Sequence, residues 1–190
     1  MCLVLYQIDM AIAALCAVQQ LKGSADGTLR IFFRENPKVG AKDRIFISDI
    51  IFGVLRHFFS LKYIVDTTTP RLLILAYLIK FKGISLRELR PFINESEEKI
   101  LLGIKLVRLD SLPLSIRSDF PEWLVQKMQV KMSDVDILSL GLSFQQQSTL
   151  DLRVNTLIAN RDDVLMRLHK DGINAENTPY SPIGIRLAKK

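Results

Sequence analysis

The chain has 190 residues, enough for one ordinary domain or for one domain plus a small second unit. Hydrophobic residues make up 48% and charged residues 24%, which excludes a disordered chain and allows a sizeable core. The net charge of +6 makes a polyanion, either nucleic acid or an anionic membrane, a reasonable partner without proving one.

Residues 1–21 read as an apolar helix closed by Lys22-Gly23-Ser24. Asp9 lies inside that run, and an Asp near a bilayer centre costs roughly 2.5–3.5 kcal/mol. The longest uncharged apolar run elsewhere, Leu72 to Ile79, is far shorter than a membrane span. The expectation is a soluble, cytoplasmic protein. Cys2 and Cys16 fit no zinc spacing and read as small buried apolar residues of a reducing compartment.

Glycines and Pro37 among charges predict a loop over 23–42 with a short helix from Thr28 to Arg34. Asp43 caps the next helix, which runs to Ser60 with Ile47, Ile50, Ile51, Val54 and Phe58 on one face. Thr69-Pro70 opens a helix through Lys80 that is apolar almost all round, the buried centre of the fold. Ser85 with Glu88, and Asn94 with Glu97, are two capping boxes. The first starts a short helix ending before Pro91 and the second a helix to Leu109. After a loop holding Pro113, Pro121 opens a helix to Met128 with Trp123 and Leu124 as core anchors. Ser133 and Asp136 start a last helix that breaks at Gly141. The first 145 residues therefore read as all-α.

The pattern then changes. Residues 143–148 are a polar linker, and Leu150 to Asn155 alternate apolar and polar as a half-buried strand does. Asn160 caps a helix from Arg161 to Lys170 whose Val164, Leu165 and Leu168 share a side, and Gly172 is its C-cap. Ile183 to Leu187 make a second strand. Such a β-α-β start is too short to bury its own sheet and reads as incomplete, with open strand edges.

No phosphate-binding, dinucleotide, zinc-protease or hydrolase motif occurs, and the spacing of Asp9, Asp49 and Asp66 supports no carboxylate pair. The two histidines, His57 and His169, are poor acid–base candidates at helix ends. No catalytic, cofactor-binding or metal-ligating residue is therefore assigned. Gly53 inside a helix predicts that another backbone packs against it, with Arg56 and His57 one turn later. From Arg71 to Arg108 eight basic residues face four acidic ones, and Lys80, Lys82, Arg87 and Arg90 crowd one turn. A second basic group holds Arg30, Arg34, Lys38, Lys42 and Arg44. Together these name Arg44, Arg56, Arg71, Lys80, Lys82 and Arg87 as candidates for an RNA backbone, against the plainer reading of solvated charges. Arg153 and Asn155, two apart on a strand, offer donors to phosphate and base edges, or are an ordinary exposed face.

Five segments occur in a telling order: 44–57 with Phe52-Gly53-Val54-Leu55-Arg56-His57, Phe120-Pro121-Glu122-Trp123-Leu124, Leu152-Arg153-Val154-Asn155-Thr156-Leu157, Asn160-Arg161-Asp162-Asp163, and Thr178-Pro179-Tyr180-Ser181-Pro182. Together they resemble the front part of the Sun/Fmu (RsmB-type) RNA cytosine-5 methyltransferases. The resemblance implies a mainly α fold: a NusB-like RNA-binding bundle over residues 1–145, followed at 146–190 by a linker and the beginning of an α/β RNA-binding subdomain. It also implies that Arg153, Asn155 and Thr156 belong to the family's RNA-facing strand and Arg56 to its bundle helix.

In that family a Rossmann-like domain follows, binds S-adenosylmethionine and carries the catalytic cysteines. Cys2 and Cys16 match neither cysteine motif, so this stretch alone is expected to be inactive, with no cofactor of its own. The implied function is the substrate-recognition portion of a 16S rRNA (cytosine-C5) methyltransferase, truncated before its catalytic domain. The alternative is a NusB-like RNA or protein interaction module in transcription antitermination or ribosome assembly. The expected partners are RNA, with a protein partner or the missing catalytic domain as further candidates, no membrane, and a monomeric state.

Overall fold

A computed structural model describes residues 5–20 and 22–188, and the chain divides into two compact units, Met1–Gln145 and Gln146–Lys190. The first is all helix and the second a small sheet with one helix, so the mainly α expectation with a short α/β segment holds.

In the first unit α1 (Leu5–Gln19) buries Ile8, Ala11, Ala14, Leu15 and Val18 along one stripe. Next, α2 (Ala25–Glu35) starts where the Ser24 side chain accepts the Gly27 amide at 3.1 Å. It is longer than the sequence predicts, because Gly23 and Gly27 read as loop signals while Ser24 is a working N-cap. The following helix, α3 (Ala41–Arg56), has Gly40 at its N-cap with Asp43 in its first turn, and it stops at His57. A separate α4 (Phe58–Val65) follows, so the single helix expected to Ser60 is in fact two.

The centre is α5 (Pro70–Lys80), whose residues from Leu73 to Ile79 are all buried, as the sequence predicts. It packs against α1, α3, α4 and α7 (Glu95–Leu106). Both predicted capping boxes are present, at Ser85–Glu88 for the four-residue α6 (Leu86–Leu89) and at Asn94–Glu97 for α7. The loop around Pro113 contains an unpredicted short helix, α8 (Leu114–Ser118). It lies on α4, α9 (Glu122–Gln129) and α10 (Asp134–Gln145).

Four local expectations are corrected. The α10 helix runs straight through Gly141, where a Cβ would overlap the Ser118 backbone, so this glycine permits a close crossing rather than a break. Gly53 likewise makes room, although for the Tyr77 ring and not for another backbone. Trp123 is 59% exposed beside Lys127, while the neighbouring Val125 is the buried anchor. Cys16 is an exposed thiol rather than a core residue, and Cys2 lies outside the described residues.

The second unit has β1 (Leu150–Arg153), α11 (Arg161–Lys170), β2 (Ala175–Asn177) and β3 (Gly184–Leu187). Its antiparallel sheet has the order β1-β3-β2, and the short β2 is a strand the sequence does not announce. The register Leu152↔Ile185 and Ala175↔Leu187 puts the apolar residues on one face. There Val154, Ala175 and Ile185 pack with Val164, Leu165 and Leu168 of α11, the side predicted for them. Asn160 caps α11 by accepting the Asp163 amide at 2.8 Å, and Gly172 ends it with φ +75°.

Candidate nucleic-acid interface

Alternation along the strands leaves Asp151, Arg153, Glu176 and Arg186 on the sheet face opposite α11. Arg186 grips Asp151 with two bonds of 2.8 Å. That hydrogen-bonded pairing holds the Asp151 carboxyl below the usual aspartate range and pushes the Arg186 guanidinium up. Both groups sit at the surface, where such pairs contribute little to stability. Arg153 lies across from Gly184, exposed, and forms no ion pair among the described residues. A cation with no internal partner keeps its full charge for phosphate.

The strand ends at Arg153, so Asn155 is not beside it on a strand face. Its Oδ1 accepts the Leu157 amide at 3.1 Å, the local bond of an Asx turn. Thr156 sits exposed in the same turn.

In the helical unit the candidate cations separate into two kinds. Arg71 is tied to the fold: its Nε donates to Glu97 at 2.6 Å, and its Nη2 donates to the Phe92 carbonyl and to Glu97. That bond raises the Arg71 guanidinium and draws the Glu97 carboxyl down. Lys80 donates to the Val107 carbonyl, and to that of Ile104 at 3.5 Å, closing the C-terminus of α7. These two residues, named as RNA contacts from the sequence, spend their donors on the fold.

The others face outward to different degrees. Lys82 pairs with Asp49, whose hydrogen bond pushes the ammonium up. Burial pushes the Tyr77 phenol up, and half-buried Arg56 is close enough for its charge to act against that rise and against the one at Lys82, so the ends of α3 and α5 form one basic spot tempered by Asp49. Arg44 donates to the Val39 carbonyl at 2.8 Å and lies over the Phe33 ring at 5.7 Å. Arg34, Lys38 and Lys42 are exposed around the corner between α2 and α3, and Arg87 is exposed on α6. The Asp151–Arg186 pairing was missed because cross-strand register is invisible in a linear sequence.

Among the described residues no group of three or more His, Cys, Asp and Glu converges as a metal site. No helix of those residues is long and apolar enough to cross a membrane.

Residues 120–190 match the family model of the RsmF/B-like methyltransferase ferredoxin-like domain. The match begins ahead of α9 and runs through the second unit, which bears out the resemblance read from Phe120-Pro121-Glu122-Trp123-Leu124 onward. The whole chain also superposes on 50% of the solved structure of PH0851, with a TM-score of 0.63 and 17% identity. At that identity the likeness is one of fold, and the chain spans about half the length of that protein. No curated protein matches the chain.

Proposed function

We propose that this chain, whose residues 120–190 match the ferredoxin-like domain model of the RsmF/B-like methyltransferases, is an RNA-binding substrate-recognition portion of a 16S rRNA (cytosine-C5) methyltransferase. The observation that carries the reading is the family match itself. The unpaired Arg153 on the open sheet face supports it, as does the separate set of exposed cations on the helical unit. On this reading the chain binds and orients RNA in the cytoplasm. The methyl donor, S-adenosylmethionine, is left to the family's catalytic domain.

The chemistry available here is electrostatic. Exposed Lys and Arg displace counterions from phosphates, so affinity falls steeply with salt. Nothing in the described arrangement reads a base edge in a unique way, and shape and backbone contacts carry the recognition.

The test is filter binding of the chain to a structured rRNA fragment at two salt concentrations. Affinity should drop between them, and Arg153→Ala should weaken binding and reduce the salt slope by about 1. Lys80→Met, which removes an interior donor, should lower stability by about 1 kcal/mol while leaving affinity for RNA unchanged. No binding at low salt by the folded chain would sink the reading and favour a protein partner.

A further inference from the structure

A cavity of about 160 Å3 opens within the helical unit, and it plays no part in the RNA reading. Asp119 forms its floor. This residue follows α8 in the left-handed region, φ 53°, a conformation that an Asp tolerates better than most residues. The result is a carboxylate only 4% exposed.

Three donors reach that carboxylate. The Ser60 amide is 2.8 Å from Oδ1, and the Ser60 hydroxyl and Gln145 Nε2 are each 3.0 Å from Oδ2. A carboxylate has about four lone-pair sites, so one is left. His57 Nδ1 approaches Oδ2 at 3.4 Å but makes no hydrogen bond and is itself buried and unpartnered. Among the described residues no Lys or Arg forms an ion pair with Asp119. Arg117 and Asp110 also line the cavity, one charge of each sign, which leaves the Asp119 carboxylate as the excess formal charge beside the His57 ring. A buried anion in that state is costly unless something arrives to neutralise it.

The walls define the visitor further. Phe81 stacks on His57 with centroids 3.8 Å apart and planes at 14°, giving an aromatic surface beside the carboxylate. Leu109, Ile116 and Leu138 add apolar wall, and Leu142, 48% exposed, stands at the opening. The volume is well below the roughly 300–1,000 Å3 of pockets for drug-sized ligands, so there is room for one small group. An anionic floor, an aromatic flank and an aliphatic collar suit a flat cation on an alkyl stem.

We propose that this cavity binds an alkylguanidinium, with an N–H on the free lone pair of Asp119 and its stem between Phe81, Leu138 and Leu142. The group can come from a free small molecule or from an arginine side chain of a partner protein. This site is independent of the proposed RNA interface and stands or falls without it.

The experiment is a heteronuclear NMR titration of the intact chain with n-propylguanidinium and with its neutral isostere n-propylurea. The cation should bind saturably, shifting resonances of His57 and Phe81, with the urea about tenfold weaker or worse. Asp119→Asn should weaken the cation by about tenfold, and Leu142→Trp, which fills the opening and leaves the carboxylate network intact, should abolish binding. If Asp119→Asn fails to fold, the Leu142→Trp result decides. An acetyl-Gly-Arg-Gly-amide peptide that binds more tightly than propylguanidinium identifies a protein side chain as the source; equal or weaker binding identifies the free cation. Equal affinity for the urea, binding indifferent to Leu142→Trp, or no saturable binding by the folded chain would overturn the proposal.

Discussion

Replacing Gly53 by Ala would place a Cβ inside the volume of the Tyr77 ring, which is itself enclosed in the core. The ring cannot swing away, so Gly53→Ala should destabilise the helical unit by about 1–3 kcal/mol in urea unfolding. A Tyr77→Leu background should recover part of that loss, because the two sites are in contact. Arg71 and Glu97 make a second residue-scale argument. Their hydrogen bond holds the Glu97 carboxyl below the ordinary glutamate range. A carboxyl depressed in the folded state contributes stability that is fully present above the unfolded value, near about pH 4.3. That contribution is lost as pH falls through the folded value. Glu97→Gln should therefore cost about 2 kcal/mol at pH 7, less than the roughly 3–5 kcal/mol of fully buried pairs because Arg71 is partly exposed. The difference from the parent should shrink as urea curves are taken from pH 6 down to pH 3.

The helix caps work at the scale of elements. Asn94 accepts the Glu97 amide at 2.9 Å, and the Glu97 side chain accepts the Asn94 amide at 3.0 Å. Asn94→Ala should cost about 1 kcal/mol and show first as faster amide exchange in the opening turn of α7. These caps could be read in the sequence because both partners lie three residues apart and the bond is local. The same holds for Pro70 at the start of α5, and for Asn160 and Gly172 around α11. What could not be read depends on distant partners. The chain turns at His57 next to Ser60 and Phe81, and Asp119 reaches Ser60 from fifty-nine residues away. No periodicity in Asp43 to Ser60 signals that break. Gly141 misleads in the same way, since its meaning lies in Ser118. At the candidate interface, exposure of Arg87 and Arg153 was legible as charge, but the inward use of Arg71 and Lys80 was not, because a basic residue beside a core helix looks the same in sequence whichever way it turns.

At the scale of the whole molecule the two units differ in how much they can bury. The helical unit has a core running from Ile8 to Ile104, whereas the second relies on Val154, Ala175 and Ile185 with a few neighbours. Small cores give small stabilities. Amide protons of β1 and β3 should therefore exchange at least about tenfold faster than those in the middle of α5, measured at neutral pH in the intact chain. Comparable protection would mean that the sheet gains support beyond its own core. Seven consecutive buried residues in α5 also carry a consequence for how the protein is made. The helices that cover one side of α5, namely α1, α3 and α4, are synthesised before it, but α7 with Leu101 and Ile104 comes after. While the ribosome adds those residues, a greasy flank of α5 has no cover. The nascent chain passes through a window in which it is a substrate for chaperones, and that window closes only once α7 is free to dock.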